Sequence, residues 1–201
     1  MSSTKRSNVR LSHGPDYYIT PIKDIEHFIR EFNQAPGVNI KWNDIFILDP
    51  SAGGDANNDM SYPKALSNLA VDKPIPVRTI DIRDDSKAEL KADYMLFNVL
   101  QEFGELPKVI ITNPPFGQAE AFILKALEDV QDRGWVIMLL RLNFFGSKQR
   151  KYFWDKLMPR YVFVHHKRIS FTQNGSTDSI EYAHFCWQKG TYPKFTELKV
   201  I

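Results

Sequence analysis

Short apolar runs alternate with helical patterns through the middle of this chain, and this alternation limits the folds that it can adopt. The apolar runs lie in "NDIFILDP", "IPVRTIDIR", "KVIITNPP" and "WVIMLLRL", and the clearest helical pattern is "QAEAFILKALEDVQDR". The segment "DYMLFNVLQEF" is a further helix candidate. Strands that alternate with helices predict a parallel, doubly wound sheet. Near the C-terminus, "RYVFVHHKRIS" and "IEYAHFCWQ" have no helical pattern between them, which predicts an antiparallel pair. We therefore expect an α/β fold with a mostly parallel sheet and an antiparallel C-terminal edge pair.

The length and the cysteine content predict one domain in a reducing compartment. A chain of 201 residues suits a single domain. We expect that domain over residues 16–201, after a flexible polar arm at residues 1–15. The single cysteine, Cys186, cannot form a disulfide within the chain, and its apolar neighbours predict a core position. No run approaches the roughly 20 apolar residues of a membrane helix, and the N-terminus has no secretory signal, so we expect a cytoplasmic protein without membrane contact.

The charge is unevenly distributed, although the net charge is only +2. Between Arg141 and Ser170 there are eight Lys or Arg residues and one acid, with aromatic residues among them. A local basic excess with interleaved rings is typical of nucleic-acid surfaces, and it predicts phosphate contacts for Arg141, Lys148, Arg150 and Lys151. Charge alone fits equally well an amphipathic helix and strand whose rings are core and whose cations are merely solvated.

Three strand ends carry residues that suit a ligand site. Adjacent glycines follow the first strand in "LDPSAGGD", and glycine lets the backbone approach a ligand closely. The second strand ends at Asp81, a carboxylate that can accept both hydroxyls of a ribose. The third ends in Asn113-Pro114-Pro115-Phe116, a rigid turn at the edge where open α/β sheets bind ligands. Each feature has a plainer structural alternative: a tight turn, an exposed turn aspartate, or an asparagine cap on the following helix.

Together, "DPSAGG", "TIDIR" and "NPPF" resemble the DNA N6-adenine methyltransferases that use S-adenosylmethionine, and the similarity extends over most of the chain. "DYYITP", at residues 16–21, resembles the motif that helps to hold the methionine end of the cofactor, and the tail resembles small, phage-type members. The resemblance implies a Rossmann-like class I methyltransferase fold. It assigns catalysis to Asn113, Pro114, Pro115 and Phe116. It implies that the cofactor contacts Tyr18, Thr20, Pro21, Asp49, Ser51, Ala52, Gly53, Gly54, Asp81, Ile82, Asp93 and Asn113.

The NPPF residues suit transfer to an exocyclic amine. The Asn113 side-chain carbonyl and the Pro114 backbone carbonyl would accept the two amine hydrogens, which frees the nitrogen lone pair without a strong base. Phe116 would stack on a base that has left the duplex, and Phe171 resembles the position that packs against that base. The adjacent His165 and His166 point to opposite faces of a strand, so they predict no metal site.

Two departures from the family pattern affect specificity and cofactor placement. The glycine loop is Ser-Ala-Gly-Gly, a looser variant, and no separate target-recognition domain is visible. We therefore expect a short or degenerate target site, or specificity supplied by a partner, in a monomer or weak dimer. RNA adenine, a protein glutamine amide, and a non-catalytic nucleic-acid-binding role stay as alternatives to DNA adenine methylation.

Overall fold

The fold is described from a computed structural model, which covers residues 18–70, 73–171, 177 and 179–201. The predicted arm at residues 1–15 lies outside the described residues, as do Asp16 and Tyr17 of the "DYYITP" motif.

Within these described residues, eight strands form one sheet. They are β1 (Ile47–Asp49), β2 (Val77–Asp81), β3 (Leu90–Lys91), β4 (Val109–Thr112), β5 (Trp135–Arg141), β6 (Tyr161–Val164), β7 (Tyr182–Gln188) and β8 (Glu197–Val200). Their spatial order is β3-β2-β1-β4-β5-β7-β6-β8. The first five strands in this order are parallel, and β7 is antiparallel to both β5 and β6. The predicted sheet is confirmed.

Helices cover both faces of this sheet. They are α1 (Ile22–Asn33), α2 (Ser61–Leu69), α3 (Val99–Phe103), α4 (Ala119–Asp129) and α5 (Lys151–Lys156). The apolar sides of α1 and α2 pack with Val109 and Ile111 of β4, whereas α3, α4 and α5 pack in the core that contains Ile110. Successive strand residues point to opposite faces of the sheet, so a strand that is apolar throughout contributes side chains to both hydrophobic cores.

Three local features differ from the sequence prediction. The segment "DYMLFNVLQEF" is a 3₁₀ turn followed by α3, because Asn98 interrupts it and caps α3 by accepting from the Gln101 N–H at 3.0 Å. The short strand β3 has no recognisable run in the sequence. The strand β8 pairs in parallel with β6 and forms the sheet edge, so β7 lies inside the sheet between β5 and β6.

Two further sequence expectations can be compared with this fold. Cys186 is fully buried in β7, as its apolar neighbours predicted. Within the described ranges, none of the helices has the length and the apolar character that a membrane crossing requires.

Candidate active site

The carboxyl ends of three neighbouring strands bring the predicted site residues to one edge of the sheet. The order β2-β1-β4 puts Asp81, Asp49 and Asn113 side by side at or just after the strand ends. Parallel strands all end at the same edge, so their terminal side chains converge although they are far apart in sequence. The sheet thus assembles the glycine loop, the acid of β2 and the NPPF turn into a single site.

The glycine loop is anchored directly to the acid of β2. The Gly53 N–H donates to Asp81 Oδ2 at 2.8 Å, and the Ala52 N–H donates to the Ile80 carbonyl at 3.0 Å. Gly53 and Gly54 have φ angles of 67° and 72°, in the left-handed region that glycine adopts without steric cost. The loop therefore needs glycine at these positions, and it lies against Asp81 before any ligand binds.

Asp49 lies beneath this loop as a fully buried carboxyl group. Burial raises its pKa to about 7; the nearby Thr112 hydroxyl and the Ser51 N–H oppose the rise, and Asp81 adds to it. The Ser51 N–H donates to Asp49 Oδ1 at 3.2 Å. With the residues that the structure describes, neither the second carboxylate oxygen nor the Thr112 hydroxyl makes a hydrogen bond of good geometry. Asp49 is consequently a buried carboxyl group with weak hydrogen bonding on its second oxygen.

Asn113 is held in place by a residue from the chain's N-terminal motif. Its amide Nδ2 donates to the Thr20 hydroxyl at 3.0 Å, and Thr20 is only 1% exposed. The amide oxygen, Oδ1, is buried and has no hydrogen-bond partner among the residues that the structure describes. A buried acceptor without a partner is costly, so such a group marks a place where a donor from a ligand would fit.

Four aromatic rings pack against one another next to the NPPF turn. Tyr18 lies 5.3 Å from Phe116 and 5.4 Å from Phe171 between ring centroids. The fully buried Tyr182 lies 5.7 Å from Phe116 and 4.8 Å from Phe171. The guanidinium of Arg141 lies 4.5 Å from the centroid of the Phe116 ring. We call Tyr18, Phe116, Phe171 and Tyr182 the aromatic cluster.

Tyr182 is a site residue that the sequence prediction missed. The antiparallel strand β7 begins at Tyr182, opposite Arg141 at the end of β5. The start of an antiparallel strand lies at the edge where its parallel neighbours end. The predicted antiparallel pair therefore contained the signal, because its second strand had to begin beside the NPPF turn.

The remaining predicted cofactor residues are spread around the same edge. Pro21 directly precedes α1, and Asp93 caps a 3₁₀ turn by accepting from the Met95 N–H at 2.9 Å. Ile82, immediately after Asp81, is 67% exposed. An exposed isoleucine beside a carboxylate can cover one face of a planar ring.

The four cations predicted to contact phosphates have different environments. Arg150 donates to the Phe144 carbonyl at 2.7 Å and stacks 4.2 Å from the Phe144 ring centroid, and Lys151 pairs with Asp155. Lys148 is exposed, and Arg141 lies over the Phe116 ring of the aromatic cluster. Arg150 and Lys151 thus already have partners within the protein, and Arg141 lies next to the NPPF turn.

The two histidines that the sequence left unassigned also separate. His165 is buried and bonds to His184 at 2.9 Å, whereas His166 is exposed. In the part of the chain that the structure describes, no group of three or more His, Cys, Asp or Glu side chains could hold a metal ion.

No protein-family model matches the sequence, and no curated protein matches it significantly. Solved structures do match its fold. A type I restriction-modification system methyltransferase subunit from Streptococcus thermophilus has a TM-score of 0.66 at 13% identity, covering 94% of this chain and 48% of that one. A protein of Listeria monocytogenes assigned as a class I S-adenosylmethionine-dependent methyltransferase has a TM-score of 0.62 at 14% identity, covering 91% and 65%.

A Pyrococcus horikoshii protein assigned as an RNA methyltransferase has a TM-score of 0.57 at 14% identity, covering 86% of this chain and 87% of that one. At such low identity these likenesses concern the fold, which is the Rossmann-like fold of class I methyltransferases. The chain spans less than two thirds of the length of the Streptococcus and Listeria structures.

Proposed function

We propose that this chain is an S-adenosylmethionine-dependent methyltransferase that acts on the N6 amine of adenine in nucleic acid, with DNA as the first substrate. The observation that carries the proposal is the buried Oδ1 of Asn113, which has no hydrogen-bond partner among the described residues and belongs to the same turn as Phe116 of the aromatic cluster. That atom needs a donor, and the exocyclic amine of a stacked base supplies one. The fold is compatible with this reaction without specifying the substrate.

The residues at the strand ends fit the proposed cofactor. Asp81 can accept from ribose hydroxyls, and the exposed Ile82 next to it can cover the adenine ring. The glycine loop keeps its backbone free of Cβ atoms beside that carboxylate. The cofactor would supply an electrophilic methyl group on a sulfonium, so the protein itself need not provide a nucleophile.

The protein's own contribution would be to activate the amine. The lone pair of the adenine amine is delocalised into the ring, which makes the amine a poor nucleophile. Asn113 Oδ1 and the Pro114 carbonyl can accept its two hydrogens and draw the nitrogen toward tetrahedral geometry. Thr20 fixes the orientation of the amide by taking the hydrogen bond from Nδ2, which leaves Oδ1 directed to the substrate.

The aromatic cluster would bind the base after it leaves the duplex. Phe116 and Phe171 are partly exposed and would stack on the base, and the fully buried Tyr182 packs against both. Base–aromatic stacking is worth about 1–3 kcal/mol per base, which helps to offset the cost of unstacking. Arg141 lies over Phe116, so it has to give way when a base enters.

DNA is preferred over the alternatives for two reasons. The four motifs resemble the DNA adenine enzymes, and the Streptococcus neighbour belongs to a DNA restriction-modification system. RNA stays the second candidate because the Pyrococcus neighbour is assigned to RNA. A single domain over residues 16–201, a cytoplasmic place of action, a phage-type origin and a short or partner-supplied target site are parts of the same proposal.

The proposal is tested by incubating the protein with labelled S-adenosylmethionine and, separately, with DNA, RNA and protein. We expect label in the adenine of DNA. Asn113→Ala should lower turnover by about 10²–10³-fold, the scale for one preorganised hydrogen-bonding group. The control is Asn143→Ala, an exposed asparagine after β5, which should transfer methyl groups at the parent rate. If Asn113→Ala leaves the rate of adenine methylation unchanged, the NPPF residues form a structural turn and do not act in catalysis.

A further inference from the structure

Arg83 links the two elements that would hold the cofactor. Its guanidinium donates through Nη2 to the Gly54 carbonyl at 2.6 Å, and its Nε lies 3.4 Å from Asp81 Oδ1. Its backbone N–H also donates to Asp81 Oδ1 at 2.9 Å. One residue thus touches both the glycine loop and the acid of β2 without belonging to either motif.

We propose that Arg83 is a positioning residue that sets Asp81 and the glycine loop for the ribose of an adenosyl cofactor. This inference rests on the proposed function. Arg83 acts through Asp81 and Gly54, and it need not touch the ligand.

The hydrogen bonds around Asp81 explain why it needs this support. Its two oxygens each accept one backbone N–H, from Gly53 to Oδ2 and from Arg83 to Oδ1. Oδ2 therefore keeps acceptor capacity for a ribose hydroxyl, provided that the carboxylate does not rotate. The two backbone contacts and the Arg83 Nε contact with Oδ1 fix that rotation.

Burial makes this cation important. The Asp81 side chain is 6% exposed and that of Arg83 is 16% exposed, so water screens the pair weakly. Removing one partner of a buried charge pair leaves the other charge uncompensated. The rigid, planar guanidinium also reaches two acceptors at once, which the flexible ammonium of lysine does less well.

The second contact acts on the glycine loop. The Gly54 carbonyl takes the Arg83 Nη2–H, and the Gly53 carbonyl takes the Lys87 N–H at 3.1 Å. Both carbonyls of the left-handed pair are therefore tied to the segment that follows β2. Loss of Arg83 would release one of these ties and let the loop move relative to Asp81.

The experiment measures the affinity of the full chain for S-adenosylmethionine by calorimetry, together with thermal melting without cofactor. We expect Arg83→Ala to weaken binding by roughly 10–100-fold, the scale for hydrogen-bonding partners that orient metal ligands. Arg83→Lys should restore part of the loss. The matched control is Arg78→Ala, which removes another arginine of the same chain segment. Arg78 pairs with Glu89 at 2.7 Å and not with the glycine loop.

A double variant separates positioning from a general effect on stability. In Asp81→Ala protein, adding Arg83→Ala should weaken binding less than it does in the parent, because only the contact with the Gly54 carbonyl is left for it to remove. Equal losses in both backgrounds would overturn the proposal, as would an Arg83→Ala protein that binds the cofactor as tightly as the parent or more tightly. If the parent protein binds no S-adenosylmethionine, the proposed function fails and this inference fails with it. If only the Arg83 results are negative, the function stands.

Discussion

A buried chain of hydrogen bonds makes the stability of this protein sensitive to acid. Tyr62 Oη lies 3.0 Å from His184 Nε2, and His184 Nδ1 lies 2.9 Å from His165 Nε2. The His184 ring also stacks on Phe28 at 3.9 Å between centroids. Burial lowers the pKa of His165 to about 4 and that of His184 well below its usual value. Both rings are therefore neutral in the folded protein at pH 7.

The sign and size of the effect follow from these pKa values. The unfolded state binds a proton at His165 near pH 6.5, whereas the folded state does so only near pH 4. The contribution of His165 therefore leaves the free energy of unfolding unchanged above pH 6.5 and lowers it as the pH decreases from 6.5 toward 4. For His165 alone, the loss between pH 7 and pH 5 is about 2 kcal/mol. His184 adds a loss of the same sign.

Asp49 acts in the opposite direction, so the assay has to isolate the histidine. Its pKa is raised to about 7, which means that the folded protein gains stability as the pH falls below 7. We therefore compare urea unfolding of the parent and of His165→Gln at pH 7 and pH 5. Between pH 7 and pH 5, the free energy of unfolding of the variant should rise by about 2 kcal/mol relative to that of the parent. The contribution of Asp49 is the same in both proteins, so it cancels in the difference. Tyr62→Phe keeps both histidines and should follow the parent.

A constant difference between the parent and His165→Gln across this pH range would refute the reasoning. It would mean that His165 binds a proton equally well in the folded and unfolded states, and hence that the chain of hydrogen bonds does not hold it neutral.

Three further predictions concern the site. Gly54→Ala should destabilise the protein more than Gly104→Ala in thermal melting. Both glycines have a left-handed φ, but a Cβ at Gly54 would lie 2.9 Å from Met60 Cγ, whereas one at Gly104 meets nothing within 4 Å. Phe116→Ala should weaken binding of adenine-containing single strands by about 1–3 kcal/mol in fluorescence titrations, while cofactor affinity stays unchanged. DNA affinity should fall steeply with salt, and Lys148→Ala should reduce the slope by about one; a flat salt response would contradict a phosphate-binding surface.

Much of the fold followed from local patterns in the sequence. Apolar runs of strand length and helical spacing depend on the covalent period of each element, so β1, β2, β4 and β5 and the helices between them were predictable. The motifs were also readable, because each is a continuous stretch at a strand end. The order of the motifs then predicted that Asp81 and Asn113 would meet at one edge.

The tertiary structure decided which polar atoms of those residues have hydrogen-bond partners within the protein and which can still bond to a ligand. Thr20 takes one end of the Asn113 amide, Gly53 and Arg83 take part of the Asp81 carboxylate, and Tyr182 joins the aromatic cluster from a strand far along the chain. The parallel pairing of β8 with β6 is equally non-local. Strand periodicity is a property of neighbouring residues, whereas a hydrogen-bond partner is set by whichever distant group the packing brings within about 3 Å. The sequence therefore determined the framework and the candidate residues. Only the folded chain determined that Phe116 belongs to an aromatic cluster and that Asn113 Oδ1 has no hydrogen-bond partner among the described residues.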